Sequence, residues 1–414
     1  MNLVKTSFYT GISTAVTFIS GFILVKVIAV KIGPAGIAQL GHYQNTTSLL
    51  TMAGTFSIGV GVIKYLAEFK QDLFKKQQII STALITVIFS SLITGLCTII
   101  FSRQLSNEVF DNVNFWKVYL LFGSFLILIS LNIIFSSVLN GLKEIKMLTI
   151  VSVCGAVFGI VFTYMGAEFF GVFGVLAAAN FTALAVFIIN GIVFRKITGI
   201  SFKPSLKFVS KKVLFLLLSF TVMNVVISTL SPIVQLIIRN QVIKTSGLSG
   251  AGYWQGINKI SEYYLTFITT VLSVYYLPTL SSLTEKKEIK NEIWKGYRII
   301  LPAVAVLAIA IYLCRSLIIK ILFTDSFMPM KELFLFQMIG DFLKIGSWLL
   351  AYLMLAKAMI KLLIITELIF STSLIILTIY FTNHYGIVGT TYAFALNYLF
   401  YWITMIFIML KKIS

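Results

Sequence analysis

Long apolar runs separated by short basic stretches fill the chain from end to end. Twelve runs stand out, roughly over residues 8–30, 38–66, 78–102, 115–140, 148–167, 172–194, 213–239, 252–282, 298–315, 332–356, 360–382 and 387–410. Most are about 20 residues or longer and show no strict alternation, so they predict membrane helices rather than barrel strands of about 10 alternating positions. In lipid only helices or closed barrels satisfy every backbone N–H and C=O, and the continuous runs select helices. The first run is too long for a cleavable signal and lacks a small-residue cleavage site after it. It is therefore expected to remain as a helix.

Two glycine patterns recur at nearly one spacing. GVFG at Gly171 returns as GIVG at Gly386, 215 positions later, and GPAG at Gly33 returns as GLSG at Gly247, 214 positions later. A G-x-x-G is common wherever helices approach closely, so one pair alone carries little. Two pairs with offsets within one residue, each spanning six predicted helices, indicate a duplication. Six is an even number, so both halves enter the membrane in the same sense. The expected organisation is an N-terminal six-helix bundle over 1–200, a basic cytoplasmic linker over 201–212 and a C-terminal six-helix bundle over 213–414. Parallel repeats of this kind build transporters whose halves rock about a central site.

Composition agrees and charge adds the orientation. The chain is 58% hydrophobic and 11% charged, far from the roughly 25% charged of soluble domains. With the N-terminus inside, 22 of the 33 lysines and arginines fall on the cytoplasmic side, which predicts both termini there. The net charge of +19 is then mostly a topology signal, and a nucleic-acid partner is not expected. Cys97, Cys154 and Cys314 suit neither a metal site nor a disulfide framework. His42 and His384 are too scattered for a metal site, and Lys64 with Glu68 reads as a surface pair. No G-x-x-x-x-G-K-[ST] is present, so ATP hydrolysis by this chain is not expected.

Ionisable residues at membrane depth are costly and mark candidate sites. Gln255, Lys259 and Glu262 share a helix face at i, i+4, i+7, and Gln337, Asp341 and Lys344 repeat that spacing. With Glu367, these charges lie roughly 10–20 Å deep, all in the C-terminal half. Lys26 and Arg239 stand near the outer ends of the first and seventh runs. The N-terminal half offers mostly neutral groups: Gln44, Asn45, Asn132 and Asn180. The plain readings are that Lys259 pairs with Glu262 and Asp341 with Lys344, that Glu367 partners a neighbouring helix, and that Lys26 and Arg239 snorkel outward. The functional reading is a cavity for a bulky polar anion, with carboxylates available to a proton or sodium ion.

The stretches GYWQGINKISEYYLTFITTVLSVYYLPTLSSLTEKKEI (252–289) and LFLFQMIGDFLKIGSWLLAYLMLAKA (333–358), with GPAGIAQL after the first run, resemble the Wzx-type lipid-linked oligosaccharide flippases of Gram-negative bacteria. The resemblance covers the chain from end to end. It implies the multidrug/oligosaccharidyl-lipid/polysaccharide exporter fold, two six-helix bundles in a V. It implies a non-enzyme of the inner membrane that moves undecaprenyl-diphosphate oligosaccharides of O-antigen or enterobacterial common antigen type to the periplasmic leaflet. The periplasmic polymerase and chain-length regulator are the partners it suggests. The family pattern matches Lys26, Lys64, Arg239, Trp254, Gln255, Glu262, Asp341, Lys344, Lys357 and Glu367; Lys259 and Glu68 depart from it.

On that resemblance Lys26, Arg239, Lys259 and Lys344 supply cavity cations for the diphosphate, with Lys259 either tuning the sugar or only pairing with Glu262. Glu262, Asp341 or Glu367 couple to H+ or Na+, and Gln44, Asn45, Tyr253, Trp254 and Gln255 contact sugar. Two rivals are a drug or cation antiporter of the same superfamily and a membrane polysaccharide polymerase. The first would favour acidic residues in the N-terminal bundle and the second a large periplasmic loop, and the sequence has neither.

Overall fold

The computed structural model describes residues 3–69, 72–194, 205–357 and 359–413. Residues 195–204, which hold Arg195, Lys196, Lys203 and the start of the predicted linker, lie outside the described residues, as does Lys70. Helices make up the rest: α1 Leu3–Lys31, α2 Gly33–Thr55, α3 Gly59–Glu68, α4 Leu73–Ile100, α5 Ser102–Phe110, α6 Trp116–Gly141, α7 Ile145–Phe194, α8 Lys211–Val271, α9 Leu277–Ser282, α10 Lys286–Leu313, α11 Arg315–Leu322, α12 Phe334–Ala356, α13 Ile360–Tyr385 and α14 Gly389–Ile413. Among the described residues seven helices are long and apolar enough to cross a membrane, or eight if the bent pair α2 and α3 is one span. The chain is an all-helical membrane protein.

Glycine sets the breaks. The positive-φ glycines among the described residues are Gly33, Gly171, Gly247 and Gly386, the same four that recur in the sequence. Gly171 (φ 56, ψ −135) bends the 50-residue α7 within the break predicted between 167 and 172. Gly386 (φ 59, ψ −142) closes α13 with nearly the same dihedrals. Gly247 (φ 72) bends the 61-residue α8, and Gly33 (φ 73) opens α2. A side chain at such a φ is strained, so only glycine turns the chain here cheaply.

Three departures from the predicted runs have local causes. The run 38–66 is not one helix: α2 and α3 meet at a 46° bend. Phe56 (φ 47) and Ser57 (φ 50) take the left-handed conformation there, and the carbonyl of Gly54 accepts a hydrogen bond from Ser90 Oγ at 2.6 Å. The seventh run continues past 239 to Gly247, because nothing before that glycine stops it. A π turn over Leu272–Tyr276 precedes Pro278, whose missing N–H and bulky ring disturb the carbonyls a turn before it. The short helices α5 and α11 occupy stretches that read as loops and helix ends.

The chain forms two compact units, residues 1–32 with 40–232 and residues 33–39 with 233–414. The first has a core of Ile58, Val62, Ile79, Val87, Ile134 and Val138 on α3, α4 and α6 and the turn before α3. In it α4 and α6 cross closely, and a Cβ added to Gly95 would stand 2.6 Å from the Gly123 carbonyl oxygen. The second has a core of Leu272, Tyr276, Leu349, Met354, Tyr401 and Met405. Segment 33–39 belongs to this second unit because its backbone meets Gly252, where a Cβ would come within 2.0 Å of the Pro34 oxygen.

The tightest approach inside the first unit is between the two arms of α7. A Cβ at Gly174 would lie 2.0 Å from the Gly166 oxygen, backbone that cannot swing aside. Gly174→Leu should therefore cost at least about 1–3 kcal/mol. Gly191→Ala, in open space on the same helix, should stabilise by about 0.5–1 kcal/mol. Thermal-shift midpoints in detergent, followed by size-exclusion chromatography, check both. A Gly174→Leu protein as stable as the parent would show that the arms do not pack so closely.

Candidate functional site

In the second unit, the bend at Gly247 folds α8 so that Arg239, before it, meets Trp254 and Gln255, after it. Arg239 is fully buried at 0% exposure. Its Nη2 donates to Gln255 Oε1, and its guanidinium lies 5.4 Å from the centre of the Trp254 ring. Among the described residues Nε and Nη1 find no hydrogen-bond partner. The snorkelling expected for Arg239 is thus overturned, because the bend encloses the side chain before it can reach the helix end. A buried guanidinium with unused donors is costly alone and becomes favourable when an acceptor arrives. Trp254 and Gln255 are buried and committed to Arg239, whereas Tyr253 packs edge-on to Phe327 at 5.8 Å.

The second cluster joins α8 to α12. Asp341 is fully buried. Its Oδ2 accepts from Ser261 Oγ at 2.6 Å and from Tyr264 OH at 2.8 Å, and its Oδ1 accepts from Gln337 Nε2 at 3.4 Å. Gln337 Nε2 also donates to Ser261 Oγ at 3.2 Å. Charge-assisted donors of this kind are what a buried carboxylate needs. Among the described residues Asp341 and Lys344 make no direct ion pair, although the two charges, one helical turn apart, still act on each other. The carboxylate turns to α8, and Lys344 Nζ stands 4.7 Å from the Trp348 ring centre, 5.5 Å from Tyr398 and 5.7 Å from Phe394. The aromatic faces add to the electrostatic support that Lys344 receives from the nearby carboxylates Asp341, Glu262 and Glu367.

The remaining acidic candidates border these two clusters: Glu262 acts electrostatically on both Arg239 and Lys344, and Glu367 on Lys344. Lys259 and Glu262 are paired at 2.7 Å, as their spacing predicts, with Glu262 about half exposed. Glu367 accepts from Tyr401 OH on α14 at 3.0 Å, so it partners a neighbouring helix. Lys357 Nζ donates to the Leu283 carbonyl. Two residues missed in the sequence are central: Ser261 and Tyr264, neutral side chains at i, i+3 on the α8 face toward Asp341. Tyr297 was also missed. Its OH donates to the Gly346 carbonyl at 2.8 Å and accepts from Trp402 Nε1 at 3.0 Å.

The first unit carries the neutral groups. Lys26 and Asn45 are half-buried and Gln44 is exposed. His42 is buried at 4% exposure. Asn132 Nδ2 donates to the Ala183 carbonyl at 2.8 Å, and its Oδ1 accepts from Asn190 Nδ2 at 2.9 Å, which ties α6 to the second arm of α7. Lys31 forms an ion pair with Glu168. An open cavity of about 760 Å³ lies within this unit, and Gln44, Asn132 and Thr182 are among its lining residues.

Residues 37–332 match the family described as polysaccharide biosynthesis protein. The lipid III flippase of Escherichia coli (strain K12) is 28% identical over 404 residues, covering 97% of this chain and 96% of that protein. An inward-facing multidrug resistance MATE family transporter of the MOP superfamily aligns with a TM-score of 0.80 at 13% identity, over 97% of this chain and 94% of its own. The lipid II flippase MurJ, in an inward closed conformation, aligns with a TM-score of 0.73 at 15% identity, over 98% and 87%. At such identities the two structures establish the fold, which is that of a MATE- and MurJ-like transporter. The sequence match covers well over half of the chain, which therefore belongs to the polysaccharide biosynthesis protein family.

Proposed function

We propose that this protein is a flippase. It moves an undecaprenyl-diphosphate-linked oligosaccharide, of O-antigen or enterobacterial common antigen type, from the cytoplasmic to the periplasmic leaflet of the bacterial inner membrane. The observation that carries the reading is the end-to-end likeness, over 404 residues, to a lipid III flippase. The buried guanidinium of Arg239, with donors unused, supports an anionic cargo. So does Lys344, whose ammonium stands over aromatic rings with no direct ion pair among the described residues, although Asp341, Glu262 and Glu367 lie within electrostatic reach. Lys26 adds positive charge, and Lys259 contributes to the cargo site from within its ion pair with Glu262. The chain acts as a transporter and not an enzyme.

Transport proceeds by alternating access of two parallel six-helix repeats, 1–200 and 213–414, joined by the basic segment 201–212. The near-identical dihedrals at Gly171 and Gly386 support the duplication. Asp341, Glu262 or Glu367 couples the cycle to H+ or Na+, and the Ser261, Tyr264 and Gln337 shell favours Asp341 for this role. Gln44, Asn45 and Tyr253 contact sugar, while Trp254 and Gln255 position Arg239. The periplasmic polymerase and its chain-length regulator receive the product.

Proteoliposomes carrying a fluorescent undecaprenyl-diphosphate oligosaccharide test the reading. Wild-type protein under an imposed ion gradient should move the lipid between leaflets. Asp341→Asn and Arg239→Gln should slow it by about tenfold or more, since each removes a charge from a buried hydrogen-bonded site. Arg239→Lys should recover only part of the rate, because a lysine lacks the planar fork. No movement by folded wild-type protein with its own glycan would overturn the flippase, and extrusion of lipophilic cations instead would turn the reading to an antiporter.

The orientation has its own check. In a cysteine-free background, Lys290→Cys should be shielded from a membrane-impermeant maleimide in intact spheroplasts, and Lys117→Cys should react. The reverse pattern would place both termini outside.

A further inference from the structure

The cavity of about 760 Å³ in the first unit has a wall of unusual polarity. Among the described residues no charged side chain lines it. Its threonine hydroxyls are turned to the backbone, beside Ser48, Ser57, Ser228 and the Gln44 amide: Thr47 donates to the Tyr43 carbonyl at 2.8 Å, Thr51 to Thr47 at 2.7 Å and Thr55 to Thr51 at 2.9 Å. These three recur every four residues and so stand on one face of α2. On the opposite helices Ser137 donates to Ile133 at 2.9 Å and Thr182 to Ala178 at 2.9 Å. Asn132 gives its amide hydrogen to the Ala183 carbonyl at 2.8 Å.

A hydroxyl has one hydrogen and two lone pairs. With the hydrogens of Thr47, Thr51 and Thr182 spent on carbonyls, these oxygens present acceptors to the cavity, spaced by methyl groups. An acceptor wall repels a phosphate, which brings acceptors only. An organic cation would meet no counter-charge there and would lose its hydration without compensation. A ligand rich in O–H donors and carrying apolar C–H faces fits both halves of the wall.

We propose that this cavity binds the uncharged sugar rings of the cargo, reading their hydroxyls as donors to Thr47, Thr51 and Thr182, while the diphosphate is excluded from it. The assignment rests on the lipid-linked oligosaccharide reading above and divides the cargo's recognition by chemistry. The acceptor wall discriminates among glycans by their hydroxyls. The volume lies within the usual range of small-ligand sites.

The test uses purified full-length protein and three probes. They are the oligosaccharide freed from its lipid by mild acid, undecaprenyl diphosphate without sugar, and tetraphenylphosphonium. Saturation-transfer NMR and titration give each dissociation constant. Thr51→Val and Thr182→Val replace the oxygen by a methyl of similar size. Each should weaken oligosaccharide binding about five- to tenfold and leave undecaprenyl diphosphate unchanged, and Thr51→Ser should restore the parent value. Thermal-shift midpoints confirm that the variants fold. Unchanged oligosaccharide binding in both valine variants would overturn the assignment. So would tetraphenylphosphonium competing for the same site, or equal losses for the sugar-free lipid. Oligosaccharide binding that depends on Thr51 in a protein that fails to flip would keep the cavity assignment and sink the flippase reading alone.

Discussion

Every backbone polar group in the hydrocarbon must find a partner within the chain, and the rest of the molecule follows from that demand. It forces helices, and it forbids loose turns at membrane depth. The chain can reverse or bend only where the freed carbonyls are satisfied again or where a glycine turns the path in a single residue. The four left-handed glycines are those places. At the bend between α2 and α3 no glycine takes the left-handed angle, and Ser90 must supply the hydrogen bond that the helix gives up. Tight backbone contacts follow from the same turns, because helices that reverse over one residue meet at once and leave room only for small side chains.

The polar chemistry is segregated by unit. The first unit buries amides and hydroxyls that mostly satisfy one another or the backbone. The second buries charge: a guanidinium, a carboxylate and a ring-bound ammonium. The two charged clusters differ in how far they are satisfied. Asp341 is satisfied by three donors, whereas Arg239 retains two nitrogens without partners. One cluster is therefore built to hold its charge and the other to receive an opposite one.

Most of the fold was legible in the sequence, since apolar run length and glycine position are direct expressions of the lipid constraint. Gly171 and Gly386 marked their breaks because only glycine reaches those angles easily. The bend at Phe56 and Ser57 left no such mark, as both residues are ordinary helix occupants. The site was legible in its residue types and less so in its pairings. Helical spacing correctly joined Lys259 to Glu262. For Asp341 and Lys344 the same argument caught the electrostatic coupling but not the direct contacts, because spacing along one helix says nothing of donors waiting on another. Ser261 and Tyr264 carried no signal beyond being polar, and their role appeared only once α8 was laid against α12. Arg239 looked like an outward-reaching side chain until the bend at Gly247 enclosed it.

The ring cage around Lys344 carries a kinetic consequence. A free lysine side chain samples many rotamers, and gathering it into one costs about 2 kcal/mol of entropy. Trp348, Phe394 and Tyr398 confine the ammonium in advance. An anion arriving there meets a charge already standing still, so the ordering cost is not charged to the encounter. Aromatic faces also grip more weakly than a carboxylate, so they release the ammonium to a passing ligand readily. Fast capture and fast discharge can then coexist at one residue, which is what a carrier that must let go of its load requires.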